Sequence, residues 1–115
     1  MAQINVYKKL NINATIGQTI KIASPKFDGV IIGAYVKLVQ IEDSNYIYKL
    51  SLGIDTPNYN CCFDGVYWDG QKNRDVVSLP FFSSHVRAKQ DIYLKIKQPA
   101  TKQCIFDFIL ITCDI

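Results

Sequence analysis

The amino-acid sequence predicts an all-β fold, an antiparallel jelly-roll-like β-sandwich of about seven to nine strands. Apolar and polar residues alternate with a period of two over several short runs, and turn dipeptides such as Asp-Gly and Thr-Pro separate these runs. The composition is typical of strands and turns, with 7 Tyr and 6 Phe but a single glutamate, Glu42. Because a single sheet would leave one face of the longest apolar runs bare, we expect two sheets packed together.

The two runs nearest the C-terminus carry the clearest pattern. Over residues 91–98, alternate aliphatic side chains predict a core-facing side formed by Ile92, Leu94 and Ile96. The run 103–113 is apolar on both sides, with Cys104, Phe106, Phe108 and Leu110 on one side and Ile105, Ile109 and Ile111 on the other. We expect these two strands to pair as a hairpin around a short loop. A strand with two apolar sides lies either between two layers or partly in a subunit interface.

The whole chain is predicted to be a single domain, with the β-sandwich over residues 17–115. Residues 30–41 and 46–54 are predicted strands, also paired as a hairpin, and Gly33 marks a β-bulge in the first of them. Residues 1–16 fit a self-contained strand less well. They could form an N-terminal arm that adds to the sheet edge of another protein.

Charge and composition disfavour several classes of partner. The formal net charge is +3, and Lys and Arg are scattered along the chain, so no nucleic-acid partner is predicted. No apolar run reaches the ~18 residues of a membrane span, and the N-terminus lacks a secretory signal. We therefore expect synthesis in the cytoplasm and no membrane partner. The four cysteines form no CxxC pair, which predicts reduced thiols and neither a metal nor another cofactor.

The middle of the chain combines aromatic rings with aspartates, and it is the strongest candidate for a ligand-binding loop. Aromatic faces stack on sugar rings, and carboxylates bind sugar hydroxyls, so this loop could bind carbohydrate. The alternative is that the rings cap the core and the aspartates form turns, and calcium binding by the aspartates is a further alternative. The candidate residues are Tyr59, Asp64, Tyr67, Trp68 and Asp69.

The sequence does not predict an enzyme. His85 is the only histidine and follows Ser83 and Ser84, but no nucleophile elbow, glycine-rich phosphate loop or pair of glutamates accompanies it.

Association with further copies of the chain is predicted from apolar side chains in excess of what one small domain covers. The expected interface comprises Ile105, Ile109, Ile111, Tyr46 and Tyr48. We expect a homo-oligomer of closed cyclic symmetry, with a trimer favoured.

Three motifs follow one another near the C-terminus: Asp91-Ile-Tyr-Leu-Lys-Ile96, then Ala100-Thr101, then Ile105-Phe-Asp-Phe-Ile-Leu110. Together with the long strand 30–41, this order resembles the small jelly-roll proteins of tailed-bacteriophage virions. The resemblance implies a head-decoration protein or head fibre that trimerises on the capsid and has no active site. It also implies a location in the virion, with capsid or other virion proteins as partners and host glycans as a further partner of displayed loops.

Overall fold

The computed structural model describes residues 3–43, 45–55, 66–70, 77–78 and 85–115, and for 55, 66–70 and 77–78 it describes the backbone alone. The described residues form nine β-strands. These are β1 (Ile4–Asn13), β2 (Thr19–Ala23), β3 (Gly29–Ile41), β4 (Tyr48–Asp55), β5 (Val66–Gly70), β6 (Val77–Ser78), β7 (His85–Val86), β8 (Ile92–Gln98) and β9 (Cys104–Asp114).

The strands form two antiparallel sheets. Sheet 1 has the order β1-β9-β3-β6, with β7 also paired to β3, and sheet 2 has the order β2-β8-β4-β5. The chain passes from one sheet to the other at every connection except β4 to β5 and β6 to β7. Two packed sheets of five and four strands connected in this alternating way are a jelly roll, so the predicted sandwich is confirmed.

Both predicted hairpins are wrong. β3 and β4 lie in different sheets, and so do β8 and β9: β8 pairs with β2 and β4, whereas β9 pairs with β1 and β3. A period of two identifies the side of a strand that faces the core, but it does not identify the pairing partner. Each connecting segment instead carries the chain across the ~10 Å between packed sheets.

Residues 4–13, within the segment for which an arm was expected, form the edge strand β1 on β9. The register shifts between Lys9 and Ile12, where Asn11 has a φ of 57° and its backbone N–H donates to Asp107 Oδ1 at 3.0 Å. This bulge explains why the alternation in the sequence blurs here, because inserted residues break a period of two.

The core lies between the two sheets. Even-numbered residues of β9 from Cys104 to Leu110 face inward, and the aliphatic side of β8 faces them from the other sheet, as predicted. The register of β3 against β9 shifts between Ile31 and Gly33, which confirms the predicted bulge. The largest fully buried side chains are Tyr48, Phe106, Phe108, Ile31, Leu50, Leu52, Ile54, Ile92, Leu94, Leu110 and Val36.

Candidate functional site: the outer face of sheet 1

The outer face of sheet 1 is built by the registers of three neighbouring strands. In an antiparallel ladder, directly paired residues point to the same side of the sheet. The odd-numbered residues of β9 therefore share their side with specific residues of β1 and β3. The rows are Ile4–Cys113–Val30, Val6–Ile111–Gly33, Lys8–Ile109–Tyr35 and Asn13–Ile105–Gln40. We define the apolar outer face as Ile4, Val6, Val30, Tyr35, Ile105, Ile109 and Ile111.

This face is open to solvent in the isolated chain. Its central residues on β9, Ile105, Ile109 and Ile111, are half-buried by their neighbours in the sheet. At the β1 edge, Ile4 is 62% exposed and Val6 is 52% exposed. Three of the five residues predicted for a subunit interface therefore lie on the same outer surface of sheet 1. Exposed apolar patches are a typical feature of contact sites.

One charged row crosses the apolar outer face. Lys37 of β3 is directly opposite Asp107 of β9, between the rows of Ile109 and Ile105. Lys8 lies beside them on β1, opposite Ile109. The face therefore carries charges of both signs close together, between rows that are mainly apolar.

The outer face of sheet 2 is polar. By the same register argument it carries Thr19 and Lys21 of β2 beside Lys95 and Tyr93 of β8. Lys49 and Ser51 occupy the corresponding side of β4, alternating with the buried Tyr48, Leu50 and Leu52. This surface is suited to water, as expected of a sheet with one solvated side.

The two predicted interface tyrosines lie elsewhere, and Tyr48 is a correction. Tyr48 is 0% exposed, so its ring belongs to the core and cannot contact another subunit in this fold. Its hydroxyl donates to the Asp43 backbone oxygen at 3.3 Å and accepts from the Asp43 N–H at 2.9 Å. This pair of bonds explains how a tyrosine can be fully buried, because its one polar atom is satisfied.

Tyr46 belongs to a group of side chains that closes the same end of the sandwich. Its ring meets that of Tyr48 edge-on, with centroids 4.9 Å apart, and its hydroxyl bonds to Thr101. Lys102 Nζ lies 5.0 Å from the Tyr46 ring centroid and 3.0 Å from Asp43 Oδ2. The Asn45 N–H and then Lys102 lower the pKa of Asp43, and the hydrogen bond to Asp43 raises the pKa of Lys102. These contacts join the β3–β4 and β8–β9 connections and leave Tyr46 with a structural role.

The structure describes the backbone of three of the five residues predicted for the ligand-binding loop. Tyr59 and Asp64 lie outside the described residues. Tyr67, Trp68 and Asp69 lie in β5, whose backbone pairs with β4. Sugar binding by this loop stays a prediction of the sequence.

Within the described ranges, no group of three His, Cys, Asp or Glu residues could hold a metal ion. His85 is exposed in the short strand β7. Burial raises the pKa of the Cys104 thiol to about 11, so this thiol is protonated at neutral pH. Among the residues that the structure describes, no helix is long and apolar enough to cross a membrane.

Comparisons with models of protein families, with curated proteins and with solved structures found no match to this chain.

Proposed function

We propose that this protein is a structural, non-enzymatic subunit of a bacteriophage virion, of the capsid-decoration or head-fibre kind. In this proposal the chain assembles with copies of itself, as a homotrimer, through the apolar outer face of sheet 1, and it displays its turn loops outward. The apolar outer face carries the proposal. The jelly-roll order of the strands and the resemblance of residues 91–113 to small virion proteins support it.

The size of the apolar outer face fits a contact between copies of the chain. Three strands of about ten residues cover about 33 by 15 Å, or roughly 500 Å² per subunit. In a homotrimer, each face is divided between two neighbours, and the three faces together bury roughly 1,500 Å².

The charges on this face also favour a second copy as its occupant. Lys8 and Lys37 lie near Asp107 on the same surface, so a rotated copy can place a lysine against the aspartate. A wholly aliphatic patch would carry no such self-complementarity.

Edge-to-edge pairing through β1 is a weaker alternative. β1 is an edge strand, but Lys8 and Lys9 are exposed near its middle, and the bulge at Asn11 interrupts its ladder. Edge lysines and bulges are the devices by which proteins prevent further strands from adding. Contact through the face of the sheet is therefore favoured over contact through its edge.

The test is a charge placed in the middle of the apolar outer face. Ile109→Asp is expected to convert an oligomer of about 39 kDa into a 13.1 kDa monomer, measured by size exclusion with light scattering. The far-ultraviolet circular dichroism spectrum should stay that of a folded β-protein, because Ile109 does not point into the core. The matched control is Ser51→Asp on the outer face of sheet 2, which should leave the assembly intact.

Three results would contradict the proposal. They are a wild-type monomer at about 100 µM, dissociation by the control variant, and unfolding by Ile109→Asp. The virion assignment has its own test, because mass spectrometry of purified particles should find this chain.

The sugar-binding alternative is separate from assembly. Saturable quenching of tryptophan fluorescence by a sugar, abolished by Trp68→Ala, would support that alternative.

A further inference from the structure

A concavity lies at the edge of the sandwich, away from the apolar outer face. It has a volume of about 280 Å³ and lies between the N-terminal half of β1 and the connection from β2 to β3. Asn5 and Tyr7 line it from the inner side of β1, since they pair with the inward-facing Thr112 and Leu110. The side chains used below are Gln3, Asn5, Tyr7, Lys26, Phe27 and Asp114.

The concavity exists because the two facing edge strands differ in length. β1 has ten residues, whereas β2, at the corresponding edge of sheet 2, has five. The inner side of β1 is therefore left uncovered by a strand near its N-terminal end. Tyr7 is half-buried there, whereas Ile12, further along the same side, is 3% exposed.

Phe27 stands at this concavity on a loop that is anchored on both sides. The Lys89 N–H donates to the Pro25 oxygen at 2.7 Å. Asp28 Oδ1 accepts from the Ala88 N–H at 2.8 Å, and the Asp28 backbone oxygen accepts from the Ile115 N–H at 3.0 Å. These bonds fix the backbone before and after Phe27, yet its side chain is 63% exposed. The fold thus holds the backbone of an exposed aromatic residue at a defined place, which favours binding because little backbone freedom is lost.

The opposite wall of the concavity is polar. The Asn5 amide donates from Nδ2 to Asp114 Oδ1 at 2.7 Å. This bond orients both groups and uses one of the two carboxylate oxygens. The second carboxylate oxygen, the amide oxygen of Asn5 and the amide of Gln3 add hydrogen-bonding groups to the same pocket. Lys26 contributes a positive charge beside Phe27.

We propose that this concavity binds one sugar ring of a glycan. The apolar face of a pyranose stacks on Phe27, and its hydroxyls bond to Asp114 and Asn5. The volume is close to the ~300 Å³ at the small end of ligand pockets, so it takes one ring rather than an oligosaccharide. Lys26 pairs with a carboxylate where the sugar is a uronic acid. The site is complete within one chain and does not depend on the proposed assembly or on the loop around Trp68.

The experiment is a titration of the ¹⁵N-labelled protein, followed by amide chemical shifts. The probes are methyl glucoside, methyl galactoside, N-acetylglucosamine and glucuronic acid, each raised to about 50 mM. At least one probe should give saturable shifts of the Asn5, Phe27 and Asp114 amides. Phe27→Ala should weaken that affinity about tenfold or more. Phe27→Tyr should retain it, and Ile16→Ala, an exposed aliphatic control outside the pocket, should leave it unchanged.

Lys26→Gln separates the sugar classes. It should weaken glucuronic acid binding and leave the neutral sugars unaffected.

Several outcomes would overturn the proposal. They are the absence of saturable shifts with every probe, shifts confined to β4 and β5, and unchanged affinity in a folded Phe27→Ala variant. Shifts of the Lys26 and Phe27 amides on concentrating the protein alone would assign the concavity to a second copy and would also overturn it. A monomeric wild-type protein would contradict the proposed assembly without affecting this result.

Discussion

The two outer surfaces of the sandwich differ sharply in chemistry. The outer face of sheet 2 presents lysines and hydroxyl groups, among them Lys21, Lys49 and Ser51, whereas the outer face of sheet 1 presents aliphatic side chains from β1 and β9. Both sheets contribute equally apolar inner sides to one core. The outer apolar residues of sheet 1 therefore exceed what folding requires, because sheet 2 folds without them.

This difference between the two outer faces indicates which of them would contact a partner. A sheet with one solvated side alternates cleanly between apolar and polar residues, as β8 and β2 do. β9 departs from that rule at Ile105, Ile109 and Ile111, and β1 departs from it at Ile4 and Val6. These outward apolar residues of β1 and β9 lie on one surface. That arrangement is expected where a partner covers the outer side of the sheet.

The largest effects are expected from alanine substitutions at two glycines of β3. One substitution should act mainly on the stability of the fold, and the other should act mainly on association through the outer surface. A Cβ at Gly29 would lie 2.6 Å from the Cys113 backbone oxygen, whereas a Cβ at Gly33 would lie 2.8 Å from Cε2 of Tyr35. The first clash moves backbone in sheet 1, so Gly29→Ala should lower the free energy of unfolding by about 1–3 kcal/mol. The second clash displaces a ring on the apolar outer face, so Gly33→Ala should cost less stability and weaken association more.

Urea denaturation and light scattering on both variants measure these two quantities. Gly17→Ala is the control, because the nearest atom to its added Cβ is the Ile96 oxygen at 3.7 Å. Unaltered association in Gly33→Ala would remove the Tyr35 ring from the proposed interface. Unaltered stability in Gly29→Ala would show that β3 can move away from β9.

The sequence predicted the sandwich and its inward-facing residues, because those depend on local alternation. Ile92, Leu94, Ile96 and the β9 residues from Cys104 to Leu110 are buried as expected. It did not predict the pairing partners, since loop composition does not show whether a chain turns back within a sheet or crosses to the other one. The register of β1 was also hidden, because the bulge at Asn11 broke the pattern.

The candidate sites were predictable to different degrees. The outward side of β9 was visible in the sequence as a second apolar side. Its extension onto β1 and β3 was not, because only the register shows that Ile4 and Val6 lie beside β9. Tyr48 was assigned wrongly, since an alternating aromatic fits a core as well as an interface. The concavity at Phe27 had no sequence signal beyond an aromatic next to a turn.

The next prediction uses two thiols on opposite sides of β9. Cys104 is buried and has a pKa of about 11, whereas Cys113 is half-buried on the outer side. Alkylation by iodoacetamide at pH 8 requires the thiolate, which is about 0.1% of Cys104 at that pH. Cys113 should therefore react faster, and it should react more slowly at high protein concentration if assembly covers the outer face.

Peptide mass spectrometry distinguishes these two thiols from Cys61 and Cys62. Equal rates would contradict the burial of Cys104. A rate at Cys113 that does not change between monomeric and assembled protein would place this end of β9 outside the contact.

The smallest effect is expected at the ion pair on the polar outer face of sheet 2. Lys21 Nζ lies 3.4 Å from Asp91 Oδ1, and the Tyr93 hydroxyl donates to Asp91 Oδ2 at 3.2 Å. Burial is the largest single influence on the Asp91 pKa, and it raises this pKa. The hydrogen bonds from Ser24, Lys21 and Tyr93, together with the Lys21 charge, outweigh burial, so the pKa of Asp91 is lowered. A lowered folded-state pKa stabilises the fold above the ordinary carboxyl pKa of 3.8, and this contribution is lost as the pH falls through the folded value.

Lys21→Ala should therefore leave the urea midpoint near neutral pH almost unchanged and reduce its dependence on pH below about 4. The assembly should not respond, because water already solvates both side chains of the pair. Urea midpoints at several pH values and light scattering of the same samples check these expectations. Dissociation by Lys21→Ala would show that sheet 2 also contacts other copies, and the contrast between the two outer faces would then no longer identify the interface.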